Sequence, residues 1–229
     1  MELSAAHNVS HPNTHHPRLR LDEAAPDFTA RTTLGLRSLS DYRGQWLILF
    51  SHPADFTPVC TSEFIAFQNA AADFDALNCA LLGLSVDSVY SHIAWLGSIE
   101  KNFGTKVTFP IIEDVSMAIS YAYGMIHENS VSTATVRSVF FIDPDGILCA
   151  ISHYPMSVGR SVDEILRVMR ALQVTAVNDV SLPEGWQPGQ KGVLNPPDMH
   201  ADNAAVPGAK AWYYREVDIP SATHDGAAS

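Results

Sequence analysis

The sequence predicts an α/β fold in which buried parallel strands alternate with helices and an antiparallel hairpin closes the sheet. Three observations carry that expectation. Trp46–Ser51 (WLILFS) is a short continuous apolar run, the pattern of a strand covered on both faces. Beyond it Phe64, Phe67, Ala71, Phe74 and Leu77 recur at helical spacing. Further on, two β-rich runs flank Asp143-Pro144-Asp145-Gly146, whose residue types make a tight turn.

Taken in order, residues 1–17 are polar and rich in His and Pro, and read as a disordered, solvated tail. Its His7, His11, His15 and His16 have nothing to fix their geometry, so no metal site is expected. A compact domain is expected over residues 18–175. After the strand at Trp46–Ser51 comes the helical stripe that follows Cys60, then a second buried strand over Cys79–Asp87. Val89, Ile93, Leu96 and Phe103 mark a helix over residues 88–103, and Val115–Tyr123 a shorter one. The hairpin spans Ser138–Ser152, and Val162, Ile165, Leu166, Met169 and Leu172 line one face of a final helix. Parallel strands joined by helices, then a hairpin and a last helix, describe a thioredoxin-like sandwich. Residues 176–229 differ. Pro183, Pro188, Pro196, Pro197, Pro207 and Pro220 preclude long helices there, so an extended C-terminal arm is expected, anchored by Trp212, Tyr213 and Tyr214.

Composition excludes several functions. With 14 basic against 25 acidic residues the formal charge is −11, which argues against a nucleic-acid partner. No stretch approaches the roughly 18 apolar residues of a membrane span. The first twenty residues lack the apolar centre of an export signal; Arg18 and Arg20 leave only a faint organelle-targeting pattern. Three widely spaced cysteines, Cys60, Cys79 and Cys149, form no disulfide framework and suit a cytoplasmic protein.

The chemistry concentrates in Ser51–Phe64 (SHPADFTPVCTSEF), between a strand and a helix. Cys60 is expected in the first turn of that helix, where free N–H groups and the helix dipole stabilise a thiolate. The alternative is a buried cysteine serving as a small hydrophobe. Thr57 stands three residues before it, where a disulfide oxidoreductase of this fold would carry a second cysteine. A hydroxyl there can bond a peroxide oxygen but cannot close a disulfide. Pro53 and Pro58 remove backbone donors and stiffen the loop. One cysteine beside a hydroxyl fits a peroxidatic step better than dithiol exchange.

Pro53-Ala-Asp-Phe-Thr57-Pro-Val-Cys60 contains the Pro-x-x-x-Thr-x-x-Cys motif and resembles the peroxiredoxin family. APDF (Ala25–Phe28), LSVDS (Leu84–Ser88), FPIIED (Phe109–Asp114), RSVFFIDPDG (Arg137–Gly146) and YPMSVGRSVDEILR (Tyr154–Arg167) are similar to segments of that family, in its order. The Cys60 segment, the YP-x-x-x-GR run and a long arm containing WQPGQ resemble its one-Cys, peroxiredoxin-6-like subfamily. The resemblance implies that Cys60 is the peroxidatic nucleophile, that Thr57 orients the peroxide, that Pro53 shields the thiolate and that Arg137 completes the pocket. Glu63 is then placed to hold Arg137. An Arg entering a buried strand needs an anionic partner in any case, the alternative being a surface ion pair at the strand start. His52 has two readings, as a group that tunes the site or as a satisfied, half-buried histidine.

The implied reaction is reduction of hydrogen peroxide or an organic hydroperoxide, with Cys60 left as sulfenic acid and no cofactor required. No cysteine follows Cys149, and Cys79 and Cys149 fall in strands, so a one-Cys cycle with an external thiol (glutathione or a small redox protein) is expected. The alternatives are a two-Cys cycle through Cys79 or Cys149, a thiol–disulfide oxidoreductase, which the missing CxxC disfavours, and a non-catalytic chaperone or redox-signalling role. The subfamily implies a homodimer or higher oligomer, with the arm crossing to a partner or folding back on its own chain. One departure matters: the phospholipase activity described for mammalian relatives uses a serine in a Gly-x-Ser-x-Gly-like segment, and here that stretch reads Arg43-Gly44-Gln45-Trp46-Leu47. With Gln45 in place of the serine, no lipase activity is expected.

Overall fold

The computed structural model describes residues 19–126, 130, 132–196 and 211–219. The N-terminal tail with its four histidines, and Pro197, Pro207 and Pro220, lie outside the described residues.

The centre of the molecule is β3 (Trp46–Ser51), buried at all six positions. It pairs in parallel with β4 (Cys79–Ser85) and antiparallel with β6 (Arg137–Ile142), so both edges of β3 are paired. Four further strands complete a seven-stranded sheet in the order β2-β1-β5-β4-β3-β6-β7. Here β1 is Thr29–Thr32, β2 Gly35–Ser38, β5 Ile111–Glu113 and β7 Leu148–Tyr154. The buried parallel pair and the closing hairpin agree with the sequence expectation, and the fold is thioredoxin-like. The β1–β2 hairpin has no counterpart in that expectation, because its four-residue strands are largely exposed and carry no alternating pattern.

Alternation along β3 divides the core in two. Trp46, Ile48 and Phe50 face one cluster with Phe64, Phe67, Phe74, Trp95 and Met169, supplied by the helices. Leu47 and Leu49 face the other, with Phe28, Leu39, Tyr42, Tyr123 and Phe140. Phe50 and Phe67 stack at 4.2 Å between ring centroids, locking the first cluster under the first long helix.

That helix, α1, runs Pro58–Asn69. Thr57 is its N-cap in an extended conformation and Pro58 occupies its first turn, where a missing N–H costs nothing. The apolar stripe expected as one helix is two: α1 ends at Ala70 and α2 spans Ala71–Ala76. The break leaves Phe67 and Phe74 in the same cluster, so side-chain periodicity alone carries no trace of it. Helix α3 (Val89–Phe103) starts on Ser88, whose hydroxyl accepts from Ser91 N–H, and ends on left-handed Gly104. Helix α4 is short (Ala118–Ala122), and α5 (Val162–Val177) is capped by Ser161. At the β6–β7 turn the Asp143 carboxylate accepts from the N–H groups of Asp145 and Ile147.

Beyond α5 the described chain contains no helix. Trp186 is buried, Arg167 of α5 donates to its carbonyl, and β8 (Gly192–Leu194) pairs with β9 (Arg215–Val217). Residues 178–196 therefore lie against their own chain. Trp212 and Tyr213 are exposed.

Truncating the central stack tests this assignment. Phe67→Ala is expected to destabilise the fold by about 3–5 kcal/mol, read from denaturant unfolding.

Candidate active site

Every element meeting at the site arrives at one end of the sheet. β3 ends at Ser51, the loop His52–Thr57 follows, and α1 turns back over the sheet from Pro58. Cys60 lies in the first turn of α1 with no exposed surface. Thr61 N–H bonds the Thr57 carbonyl, so the N–H groups of Val59 and Cys60 have no helical carbonyl to bond. The first turn thus presents donors and the positive end of the helix dipole around the sulfur.

Arg137 opens β6, the antiparallel neighbour of β3, which brings it to the same end. Its Nη1 donates to Cys60 Sγ at 3.3 Å and to Glu63 Oε2 at 2.7 Å, and its Nε donates to the Met156 carbonyl. Arg137 is 2% exposed, so the surface ion pair considered from the sequence is instead a buried one. Glu63 sits one turn along α1 from Cys60 and takes a second cation. Arg160 donates to it through Nε, Nη2 and its backbone N–H, at 2.7–2.9 Å. Burial alone would raise the Glu63 carboxyl, but the hydrogen bonds and charge of Arg160, with Arg137 beside it, hold it below the usual range. Arg160 also reaches the carbonyls of Ser51 and Ser138 through Nη1 and lies 5.3 Å from the Phe50 ring. Arg160 was not among the site residues expected from sequence. Its only signal was the Gly159-Arg160 pair, and a side chain at Gly159 would press on Val59 of α1, whose Cγ1 lies 3.3 Å from where its Cβ would stand.

Thr57 is half-buried, and its hydroxyl donates to the Ala54 carbonyl at 2.8 Å. Its oxygen lone pairs are left to accept. Pro53 is buried in the same loop. His52 is fully buried rather than half-buried, and it is not fully satisfied: Nε2 meets Asp55 Oδ1 at 2.9 Å while Nδ1 has no hydrogen-bond partner among the described residues. Burial depresses its basicity, against the opposing pull of Asp55. His92 of α3 binds the same carboxylate at 2.8 Å through Nδ1. Burial opposes ionisation of Asp55, yet its bonds to His52 and His92 hold it well below the usual carboxylate range. His52, Asp55 and His92 have the donor types of a zinc site. Both carboxylate oxygens are already joined to ring nitrogens at hydrogen-bond distance, so the three close on one another.

The other cysteines are elsewhere. Cys79 is in register with Trp46, and Leu84 with Ser51, which puts Cys79 five strand steps, about 16 Å, from the reactive end. Cys149 lies at the bulge between Leu148, opposite Ile142, and Ala150, opposite Phe141, while Arg137 pairs with Tyr154. Cys149 is therefore also at the far end. Burial pushes the Cys79 thiol up to about 12 and the Cys149 thiol up to about 11.

A buried cysteine at a helix start, against an arginine fixed by a carboxylate, on this fold, narrows the comparison to one group of proteins. The AhpC/TSA family model matches residues 21–151. The chain belongs to the AhpC/TSA family. Peroxiredoxin 2 of Thermoplasma acidophilum is 48% identical over 200 residues, spanning 86% of this chain and all of that one. Peroxiredoxin 2 of Picrophilus torridus is 48% identical over 197 residues, or 85% of this chain and 97% of its own. Among solved structures, the yeast mitochondrial 1-Cys peroxiredoxin superposes with a TM-score of 0.77 at 38% identity, covering 88% of this chain and all of that one. A cysteine-to-serine mutant of peroxiredoxin 6 from Arenicola marina gives 0.78 at 33%, covering 89% and 100%. As a peroxiredoxin the chain is a thiol-dependent peroxidase. Among the described residues no helix is long and apolar enough to cross a membrane.

Glu63 gives the site a pH signature. A carboxyl held below its unfolded pKa contributes stability above that unfolded value, near 4.3, and loses it as pH falls through the folded value. Glu63→Gln should cost about 3–5 kcal/mol at pH 7, because two buried cations lose their anion. The gap to wild type should narrow below about pH 4 in urea titrations.

Proposed function

We propose that the chain reduces hydrogen peroxide and organic hydroperoxides by a one-Cys cycle on Cys60. The observation that carries this reading is the 3.3 Å contact between Arg137 Nη1 and Cys60 Sγ at the start of α1, with both other cysteines at the opposite end of the sheet.

In the first step the Cys60 thiolate attacks the terminal peroxide oxygen, forming an S–O bond as the O–O bond breaks. Sulfur is oxidised by two electrons, and the departing oxygen leaves as water or alcohol once protonated. Thr57, whose own proton is committed to Ala54, accepts a hydrogen bond from the peroxide hydroxyl and sets its angle. Arg137 and the free N–H groups of the first turn stabilise charge developing on the leaving oxygen. Pro53 contributes a wall without an N–H, shielding the sulfur from water. Glu63 holds Arg137 toward the sulfur. His52 packs against Phe64 and Trp95 behind this turn and acts on the loop rather than on the peroxide.

The sulfenic acid is then attacked by an external thiol, releasing water, and a second thiol displaces Cys60 from the mixed disulfide. Disulfide formation needs Cα atoms within about 7 Å, which Cys79 and Cys149 do not meet within the chain. Their raised thiol pKa values also disfavour attack. Glutathione or a small redox protein fits the role of reductant, as the yeast 1-Cys relative is resolved through glutathione and thioredoxin systems. Cys60 has no exposed surface, so its turn opens for that step. Three free thiols suit a cytoplasmic location.

The peroxidase domain is residues 18–175, and the arm, 176–229, lies against its own chain up to residue 196 and makes a homodimer through its far part. The exposed Trp212 and Tyr213, perpendicular rings 5.5 Å apart, are suited to docking on a second subunit. Deleting residues 185–229 is expected to halve the mass in light scattering; an unchanged mass would count against the arm as the dimer contact.

Stopped-flow mixing of the reduced protein with one equivalent of hydrogen peroxide should give a fast second-order phase, with dimedone captured on Cys60. Cys79→Ser/Cys149→Ser should retain turnover with an external thiol. A disulfide to either cysteine in wild type would replace the one-Cys cycle by a two-Cys one, and an inert Cys60 would overturn the assignment.

A further inference from the structure

The loop that carries Thr57 contains a backbone conformation that its own residues do not favour. Phe56 has φ +55°, in the left-handed region, where a bulky side chain is an outlier. Its ring is 59% exposed, so its own packing does not hold it there. Such a conformation persists only when the flanking residues are over-determined.

On the C-terminal side Thr57 is held by its bond to Ala54 and by Thr61, whose N–H and hydroxyl both donate to the Thr57 carbonyl. On the N-terminal side the restraint is Asp55. Its backbone N–H donates to Asp87 Oδ2, which also takes the Ser85 hydroxyl. Its carboxylate takes His52 Nε2 on Oδ1 and His92 Nδ1 on both oxygens, at 2.8–3.0 Å. His92 is anchored in turn, with Nε2 at 3.2 Å from the Ile112 carbonyl of β5. All three side chains are buried. Asp55 is thus tied to α3, and through His92 to the sheet, one residue before the strained position and two before Thr57.

We propose that Asp55 and His92 are positioning residues for peroxide reduction: they clamp the left-handed Phe56 turn and so aim the Thr57 oxygen at the peroxide. The clamp acts through Thr57 and not on the sulfur, which α1, Arg137 and Glu63 hold independently. This assignment rests on the Cys60–Thr57 reading given above.

The test compares two reactions of Cys60 in the full-length chain. Hydrogen peroxide uses Thr57, whereas iodoacetamide alkylation, followed by the mass of the Cys60 peptide, does not. His92→Gln and Asp55→Asn are each expected to slow the peroxide reaction roughly ten- to hundredfold, the scale of an ångström-sized misplacement, with alkylation within about threefold of wild type. Phe56→Gly relieves the strained turn, since glycine adopts positive φ freely, and is expected to restore most of the lost rate when added to His92→Gln. A peroxide rate within about threefold of wild type in both single variants overturns the clamp, as does a parallel fall in both reactions, or a Phe56→Gly addition that rescues nothing. Where His92→Gln fails to fold, the Phe56→Gly/His92→Gln pair decides: folded and fast supports the clamp, unfolded or slow overturns it. A wild-type Cys60 that alkylates but does not react rapidly with peroxide would sink the peroxidase assignment itself, a result distinct from fast wild type with equally fast variants.

Discussion

Two guanidinium groups share one buried carboxylate beneath the first turn of α1, and the reactive end of the molecule is organised by that imbalance. Glu63 accepts four hydrogen bonds, three from Arg160 and one from Arg137. One negative charge against two positive ones leaves a net cation out of contact with water, which is costly unless another anion is near. The group next to that surplus is the Cys60 sulfur, 3.3 Å from Arg137. The surplus cation therefore faces the sulfur directly, and the role proposed for Cys60 rests on that placement. Arg160 does more than supply charge. Bonded to the carbonyls of Ser51 in β3 and Ser138 in β6, and lying over the Phe50 ring, it joins the polar cluster to the apolar core.

The cluster assembles because three distant segments end at the same place. β3 runs toward the site and β6 starts from it, so Arg137 and Ser51 come together through an antiparallel pairing. The same registers carry Cys79 and Cys149 to the opposite end of the sheet. Cys60 lies beside Arg137 at one end, while burial raises the Cys79 and Cys149 thiols at the other, and the proposed one-Cys cycle rests on that separation.

A second polar layer lies behind the first. His52, Asp55 and His92 tie the loop to α3 under Trp95, which stacks on His52 and donates to the Thr61 hydroxyl. The two layers share the residues between Ser51 and Thr61 and use different partners: arginines below the helix turn, histidines beside the loop. The first places a cation against the sulfur, and the second ties down the chain leading to it.

Much of this was legible in the sequence wherever the determining interaction is local. The buried strand, Cys60 in the first turn and the Asp143–Gly146 hairpin each follow from neighbours within about four residues, the reach of helix and turn chemistry. The motif Pro53-x-x-x-Thr57-x-x-Cys60 announced the chemistry for the same reason. What the sequence left open depends on partners far apart along the chain. Arg160 meets Glu63 across 97 residues, and His92 meets Asp55 across 37. His52 read equally as a group that tunes the site or as a satisfied, half-buried histidine, and the break at Ala70 leaves the apolar stripe intact. The β1–β2 hairpin is too short and too exposed to carry a period. Local propensity and periodicity determined which residues form strand, turn and helix, and which cysteine stands at a helix start. Strand order and register, which no local pattern encodes, decided which charges share the buried space beneath it.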